Sequence, residues 1–178
     1  MLLTIADIES QLDEKFSRFQ GEMDDLILRK RLEPLKNIRG LEEELNIKLD
    51  SEFLSFITEY DLDNFSLGNI SFGSGQNYID TLIKLNSEND FNQWWSGESR
   101  PGGIIVVAIS DPYAILLNSF NGEIYAITSE SDINENEPIS VNFELFIRGV
   151  GSLFLKHCQP TEVCVSVGAR NKDFWNNI

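Results

Sequence analysis

The sequence predicts an α+β fold: a single domain in which a mainly antiparallel sheet carries N-terminal helices and a C-terminal helix packed against it. Three observations predict it. Apolar residues recur at three- and four-residue intervals between positions 4 and 60, the period of helices with one buried stripe. The stretch "ILLNSFNGEIYAI", residues 115–127, is two apolar runs folded around an Asn-Gly pair, the pattern of a β-hairpin. Helical spacing then returns in "VNFELFIRGVGSLFLK", residues 141–156. With 178 residues, 42% of them hydrophobic, the chain can bury one sizeable core.

Residues 4–19 place Ile5, Ile8, Leu12, Phe16 and Phe19 on one helical stripe, with Thr4 and Asp7 as a capping pair. Residues 22–32, "EMDDLILRKRL", put acids first and bases last, and Pro34 follows; a second short helix is expected. Next, Ile38, Leu41 and Leu45 share a helical face, with Glu42, Glu43 and Glu44 on the solvated sides. Asp50 or Ser51 caps a further helix carrying Phe53, Leu54, Phe56, Ile57 and Tyr60.

After Asp63 the texture changes. "FSLGNISFGSG" suggests a strand pair or irregular edge, and "YIDTLIKL", residues 78–85, fits a strand or a helix. A short helix bearing Trp94 and Trp95 and a loop over 96–103 lead into the β region. There "IIVVAI" (104–109) and a turn at Ser110-Asp111-Pro112 precede the hairpin. One hairpin face takes Ile115, Leu117, Ile124 and Ala126, the other Leu116, Tyr125 and Ile127, so the sheet is expected to be covered on both sides. An acidic loop over 129–140 follows. The next helix, capped by Asn142, carries Phe143, Phe146, Ile147, Val150 and Phe154. Gly149 and Gly151 interrupt it, at about 1 kcal/mol each relative to Ala. Val163, Val165 and Val167 alternate, which predicts a last strand, with a terminal helix around Trp175.

Charge narrows the functional classes. Twenty-nine acids against fourteen bases give a net charge of −15, a field that repels nucleic-acid phosphates and attracts basic partners. Between Lys84 and Arg148 the only base is Arg100, against ten acids; that half of the molecule is expected to present a one-signed surface. The longest aliphatic run is too short to span a bilayer. The N-terminus lacks a basic region and a cleavage signal, so no membrane partner and a cytoplasmic location are expected.

The sequence offers little to catalysis. His157 is the only histidine, and its neighbour on the helix, Cys158, does not share its face. His157, Cys158 and Cys164 match no metal-ligand spacing, and two cysteines six apart make no disulfide framework. "SFGSG" (71–75) lacks the lysine of a phosphate loop. Paired carboxylates are too abundant to single out a hydrolase site. The expectation is a protein that is not an enzyme and takes no cofactor or metal.

The order of elements carries a resemblance. "IRGLEEELNIKLDSEFLSFITEYD", the Trp-bearing segment, "IIVVAISDPYAILLNSFNGEIYAI" and "SVNFELFIRGV" together resemble the SUKH superfamily, which includes yeast cell-wall-assembly regulators and many bacterial immunity proteins. The likeness covers about residues 35–150, leaving an N-terminal helical extension (1–34) and a C-terminal extension (about 158–178). Leu49-Asp50 stands where the family usually has Leu-Pro. Leu116 to Tyr125 corresponds to its "hhh.d..tG.IY" hairpin, with Asn118 where Asp is common, and Phe143 and Phe146 to its "F..F" helix. The resemblance implies a non-catalytic domain that neutralises a cognate bacterial toxin, commonly a nuclease, by stoichiometric binding; the alternative it leaves open is a regulatory scaffold with several cellular partners. Combined with the charge map, it makes the expected contact residues Glu88, Asp90, Glu123, Glu130, Asp132, Glu135 and Glu137, with Trp95 or Phe120 as an apolar anchor.

Overall fold

A computed structural model describes residues 1–87, 100–131 and 136–178 of the chain. Helix α1 (Ile5–Phe16) opens with the expected capping box: Asp7 N–H donates to Thr4 Oγ1, and Thr4 N–H to the Asp7 carboxylate. Ile8, Leu12 and Phe16 are buried, but Phe19 lies beyond the helix in a 3₁₀ turn and is 37% exposed.

The helix expected over 22–32 does not form. Asp24–Leu26 make one 3₁₀ turn, and Arg29–Lys30 form strand β1, paired antiparallel with β2 (Tyr60–Asp61). Arg31 supplies the physical reason. Its side chain, 5% exposed, donates to Ile57 O and reaches both carboxylate oxygens of Asp63, at 2.9 and 3.3 Å. An extended main chain is required to bring it there, and those buried charge-assisted bonds outweigh the weak helical preference of an eleven-residue segment.

Helices α2 (Ile38–Leu45) and α3 (Ser51–Glu59) follow as expected, with Asp50 Oδ1 capping α3 by accepting from Glu52 N–H and Phe53 N–H. Glu42 is less solvated than expected: it accepts from Leu49 N–H and pairs with Lys48 across the α2–α3 turn.

The main sheet is a five-stranded antiparallel meander of β3 (Ser66–Leu67), β4 (Ile70–Ser71), β5 (Ile104–Ser110), β6 (Tyr113–Asn118) and β7 (Ile124–Ile127). Its two faces divide as the alternation predicts. Ile115, Leu117, Ile124 and Ala126 join the main core, while Val106, Leu116 and Ile127 form a second cluster with Tyr125 beside it.

Residues 78–86 resolve the open choice as helix α4 (Tyr78–Asn86), capped by Asn77. Strand β4 reaches β5 only at Ser71↔Ile109, which leaves the start of β5 without a neighbour on that side. Helix α4 takes its place. Tyr78 OH donates to Val107 O at 2.7 Å, Asn86 Nδ2 donates to Val106 O at 2.8 Å, and Asn86 Oδ1 accepts from Val106 N–H at 2.7 Å. The eight-residue spacing puts both side chains on one helical face, with Leu82 between them. Polar side chains thus cover an edge that would otherwise bury unpaired main-chain groups.

Helix α5 (Phe143–Phe154), capped by Asn142, packs on α1 and α3. Its glycines are points of close approach. A Cβ on Gly151 would sit 2.5 Å from Ile8 Cδ1, and one on Gly149 2.8 Å from Trp175. Their cost in helix propensity secures contact with both ends of the chain.

The strand expected over 161–167 is instead helix α6 (Pro160–Ser166), followed by α7 (Asp173–Asn177). Val163, Cys164 and Val167 turn inward while Val165 is 80% exposed. Pro160 at the helix start, a Gln159–Glu162 capping box and Gly168 at φ +68° beyond its end mark a helix; these end signals decide against the apparent alternation. Trp175, fully buried, donates its indole N–H to Ile139 O at 2.8 Å. Leu2, Leu3, Ile8 and Leu12 from one end and Phe174 and Trp175 from the other belong to the same core. No helix among the described residues is long and apolar enough to cross a membrane.

Candidate functional site

The β6–β7 connection is a wider turn than the Asn-Gly pair alone suggests. Gly122 N–H donates to Asn118 O at 2.8 Å, and Asn118 N–H to Glu123 O at 2.9 Å. Inside it, Asn118 Oδ1 accepts from Phe120 N–H, and Asn121 Oδ1 accepts from Glu123 N–H. These side-chain-to-main-chain bonds hold the loop in one shape. Gly122 takes φ +78° beside the Asp50 carboxylate, a conformation that favours glycine.

Phe120 rides on this turn, 80% exposed. Its ring rests over Gly103, where an added Cβ would lie 2.3 Å from a ring carbon. The anchor expected at the hairpin tip is therefore both presented to solvent and braced from behind.

Below the tip lies a carboxylate network. Glu123 Oε2 accepts from Tyr125 OH at 2.7 Å and from Asn121 Nδ2 at 2.9 Å, and Glu123 Oε1 lies 3.5 Å from Arg170 Nη2. Arg170 Nε donates to Glu137 at 2.5 Å. Burial, and then the adjacent Glu123 carboxylate, push the Tyr125 phenol up to about 12. The guanidinium of Arg170 is likewise held above its usual value, chiefly by its hydrogen bond to Glu137.

The one-signed surface is corrected here. Arg170 comes from the C-terminal segment, outside the interval over which charges alternate so poorly in sequence, and it pairs with two of the expected contact residues. Its position is set by the main chain, since Arg170 N–H and Asn171 N–H both donate to Pro138 O. Glu130 remains exposed, its N–H directed at Thr128 Oγ1. The structure thus brings Glu123 and Glu137 together through Arg170. Glu88, Asp90, Trp95, Asp132 and Glu135, together with Trp94, lie outside the described residues. Arg100, the one base inside that interval, donates to Ile104 O and Leu45 O, and burial lowers its pKa.

The two cysteines and the main-chain amides of the glycine-rich segment are taken up in packing and hydrogen bonds. Cys158 and Cys164 are buried and free, and burial pushes the Cys164 thiol up, away from the thiolate a nucleophile requires. In "SFGSG", Gly73 N–H donates to Phe65 O and Gly75 N–H to Asp63 O, so those amides are already engaged. Among the described residues no group of three His, Cys, Asp or Glu side chains is placed to hold a metal ion.

No model of a known protein family matches the chain, and no curated protein matches it.

Proposed function

We propose that this protein is a non-catalytic, cytoplasmic immunity protein of the SUKH type, which binds and neutralises a cognate basic toxin, a nuclease by preference, in a one-to-one complex. The observation that carries the reading is Phe120: a large aromatic ring 80% exposed on a hydrogen-bonded turn, next to carboxylates, in a chain of net charge −15. Exposed aromatics on rigid supports are the common anchors of tight interfaces, and the surrounding charge steers a basic partner toward them. The Glu123–Arg170–Glu137 network supports the rim with fixed geometry, and the exposed Glu130 adds negative charge beside it; Asp132, Glu135, Glu88 and Asp90 are proposed as contacts from the charge of the sequence alone.

The test is capture of partners with the purified protein at low and then high salt, followed by binding kinetics. One basic partner at one-to-one stoichiometry, toxic when expressed alone, is expected. Phe120→Ala should speed dissociation by about thirtyfold, the equivalent of a hot spot of about 2 kcal/mol. Reversing Glu130, Asp132 and Glu135 should slow association and flatten its salt dependence. A broad set of weakly held proteins lost together in salt would instead establish the regulatory scaffold.

A further inference from the structure

Strand β1 has one paired edge and one bare one. Arg31 N–H donates to Glu59 O at 2.9 Å and Arg29 lies opposite Asp61, so alternate residues of this segment bond to β2. The geometry of an antiparallel pair then turns the main chain of Leu28, Lys30 and Leu32 to the other side. Among the described residues no hydrogen bond reaches the amide or carbonyl of Leu28 or Leu32, although Leu28 is only 1% exposed. A buried main-chain group without a partner is rare, and an unpaired strand edge running outward from it through the exposed Lys30 and Leu32 is what an added strand satisfies.

That bare edge faces a groove of about 520 Å³ between β1 and the outer side of α1. Ile27 and Leu28, both buried, contribute apolar lining. The α1 wall alternates small residues, Ala6 and Ser10, with acids, Glu9 and Asp13; the small pair leaves room for an incoming main chain. Leu32 lines the same groove at 94% exposure. The bases of β1 are already engaged elsewhere: Lys30 with Glu59 and the Tyr60 hydroxyl, Arg29 with Asp24 at 4.0 Å. Glu9 and Asp13 have no side-chain partner among the described residues. The uncompensated charge in the groove is therefore negative.

We infer that the free edge of β1 docks an extended, lysine- or arginine-bearing segment of a partner protein, which adds as a third strand to the β1–β2 pair and sets its basic side chains against Glu9 and Asp13. None of these residues belongs to the hairpin tip, and the inference does not rest on the toxin reading. Two groups of contacts on one chain would give a partner a second point of attachment.

The test is titration of the full-length, isotope-labelled protein with two blocked pentapeptides, Lys-Val-Lys-Val-Lys and Glu-Val-Glu-Val-Glu, followed by amide NMR. The lysine peptide is expected to shift the Leu28, Lys30 and Leu32 amides with millimolar affinity, and the glutamate peptide to leave them in place. Ser10→Trp, a substitution on the exposed side of α1, should fill the groove and abolish the shifts. Glu9→Lys with Asp13→Lys should weaken binding by about fivefold or more, because two exposed attractions become repulsions. Thermal melts of both variants should match that of the unmodified protein. Absence of shifts at these amides, equal response to the two peptides, or shifts that survive Ser10→Trp would overturn the inference.

Discussion

Replacing Asn86 by leucine tests whether α4 truly stands in for a missing strand. Asn86 is 4% exposed and makes three side-chain bonds, to Leu82 O at 2.9 Å and to both main-chain groups of Val106 at 2.7 and 2.8 Å. Leu82 O also belongs to the helix ladder, so its loss is small. Val106 N–H and C=O, in a strand residue of 0% exposure, would be left without partners at about 1–3 kcal/mol each. Leucine has nearly the same shape and returns part of this through its own apolar burial. The expected net loss is about 2–4 kcal/mol, or a fall in melting temperature of roughly 5–15 °C for a chain of this size. Urea and thermal unfolding followed by circular dichroism measure it. Asn86→Asp sharpens the test. The carboxylate keeps the acceptor for Val106 N–H but faces Val106 O without a proton, so burial and the carbonyl raise its folded pKa. A raised folded pKa contributes stability below the unfolded value that is lost as pH rises through the folded one. This variant should therefore recover toward the parent in mild acid, whereas the leucine variant should not. A leucine variant within about 0.5 kcal/mol of the parent would refute the edge-covering role.

Two other perturbations probe the remaining polar contacts. Arg31→Met should cost roughly 2–4 kcal/mol in urea unfolding, less than the about 3–5 kcal/mol of a fully buried broken pair because Asp61 and Asp63 keep some solvent; a neutral result would show that β1 is held by its main chain alone. The Tyr125 phenol, raised to about 12 from a usual value of 10.0, contributes stability that is complete below pH ~10 and falls away as pH rises toward 12. Tyr125→Phe should flatten that part of the stability profile, and phenolate absorbance checks the titration directly.

Where sequence and structure agree, local chemistry sufficed. Thr4 with Asp7, Asp50 and Asn142 each cap a helix within three residues, and the two faces of the hairpin follow from alternation alone. Where they part, either a distant partner or a stronger local signal outweighed the pattern. Residues 22–32 read as a helix from their charge order, but the guanidinium of Arg31 finds Asp63 only once α3 has folded beside it. The valines at 163, 165 and 167 alternate like a strand, yet the proline and capping box before them and the glycine after them set a helix; the period was the weaker of two local signals.

The candidate site divides in the same way. Phe120 and the carboxylates at 123, 130 and 137 could be named from charge and turn chemistry, because those are properties of short segments. That Arg170 pairs with both Glu123 and Glu137, and that the outer main-chain groups of Leu28 and Leu32 lie unpaired beside α1, could not. Each depends on residues far apart in the chain meeting in space, and a sequence pattern carries periodicity and composition but no record of which remote charges and edges will become neighbours once the core has closed.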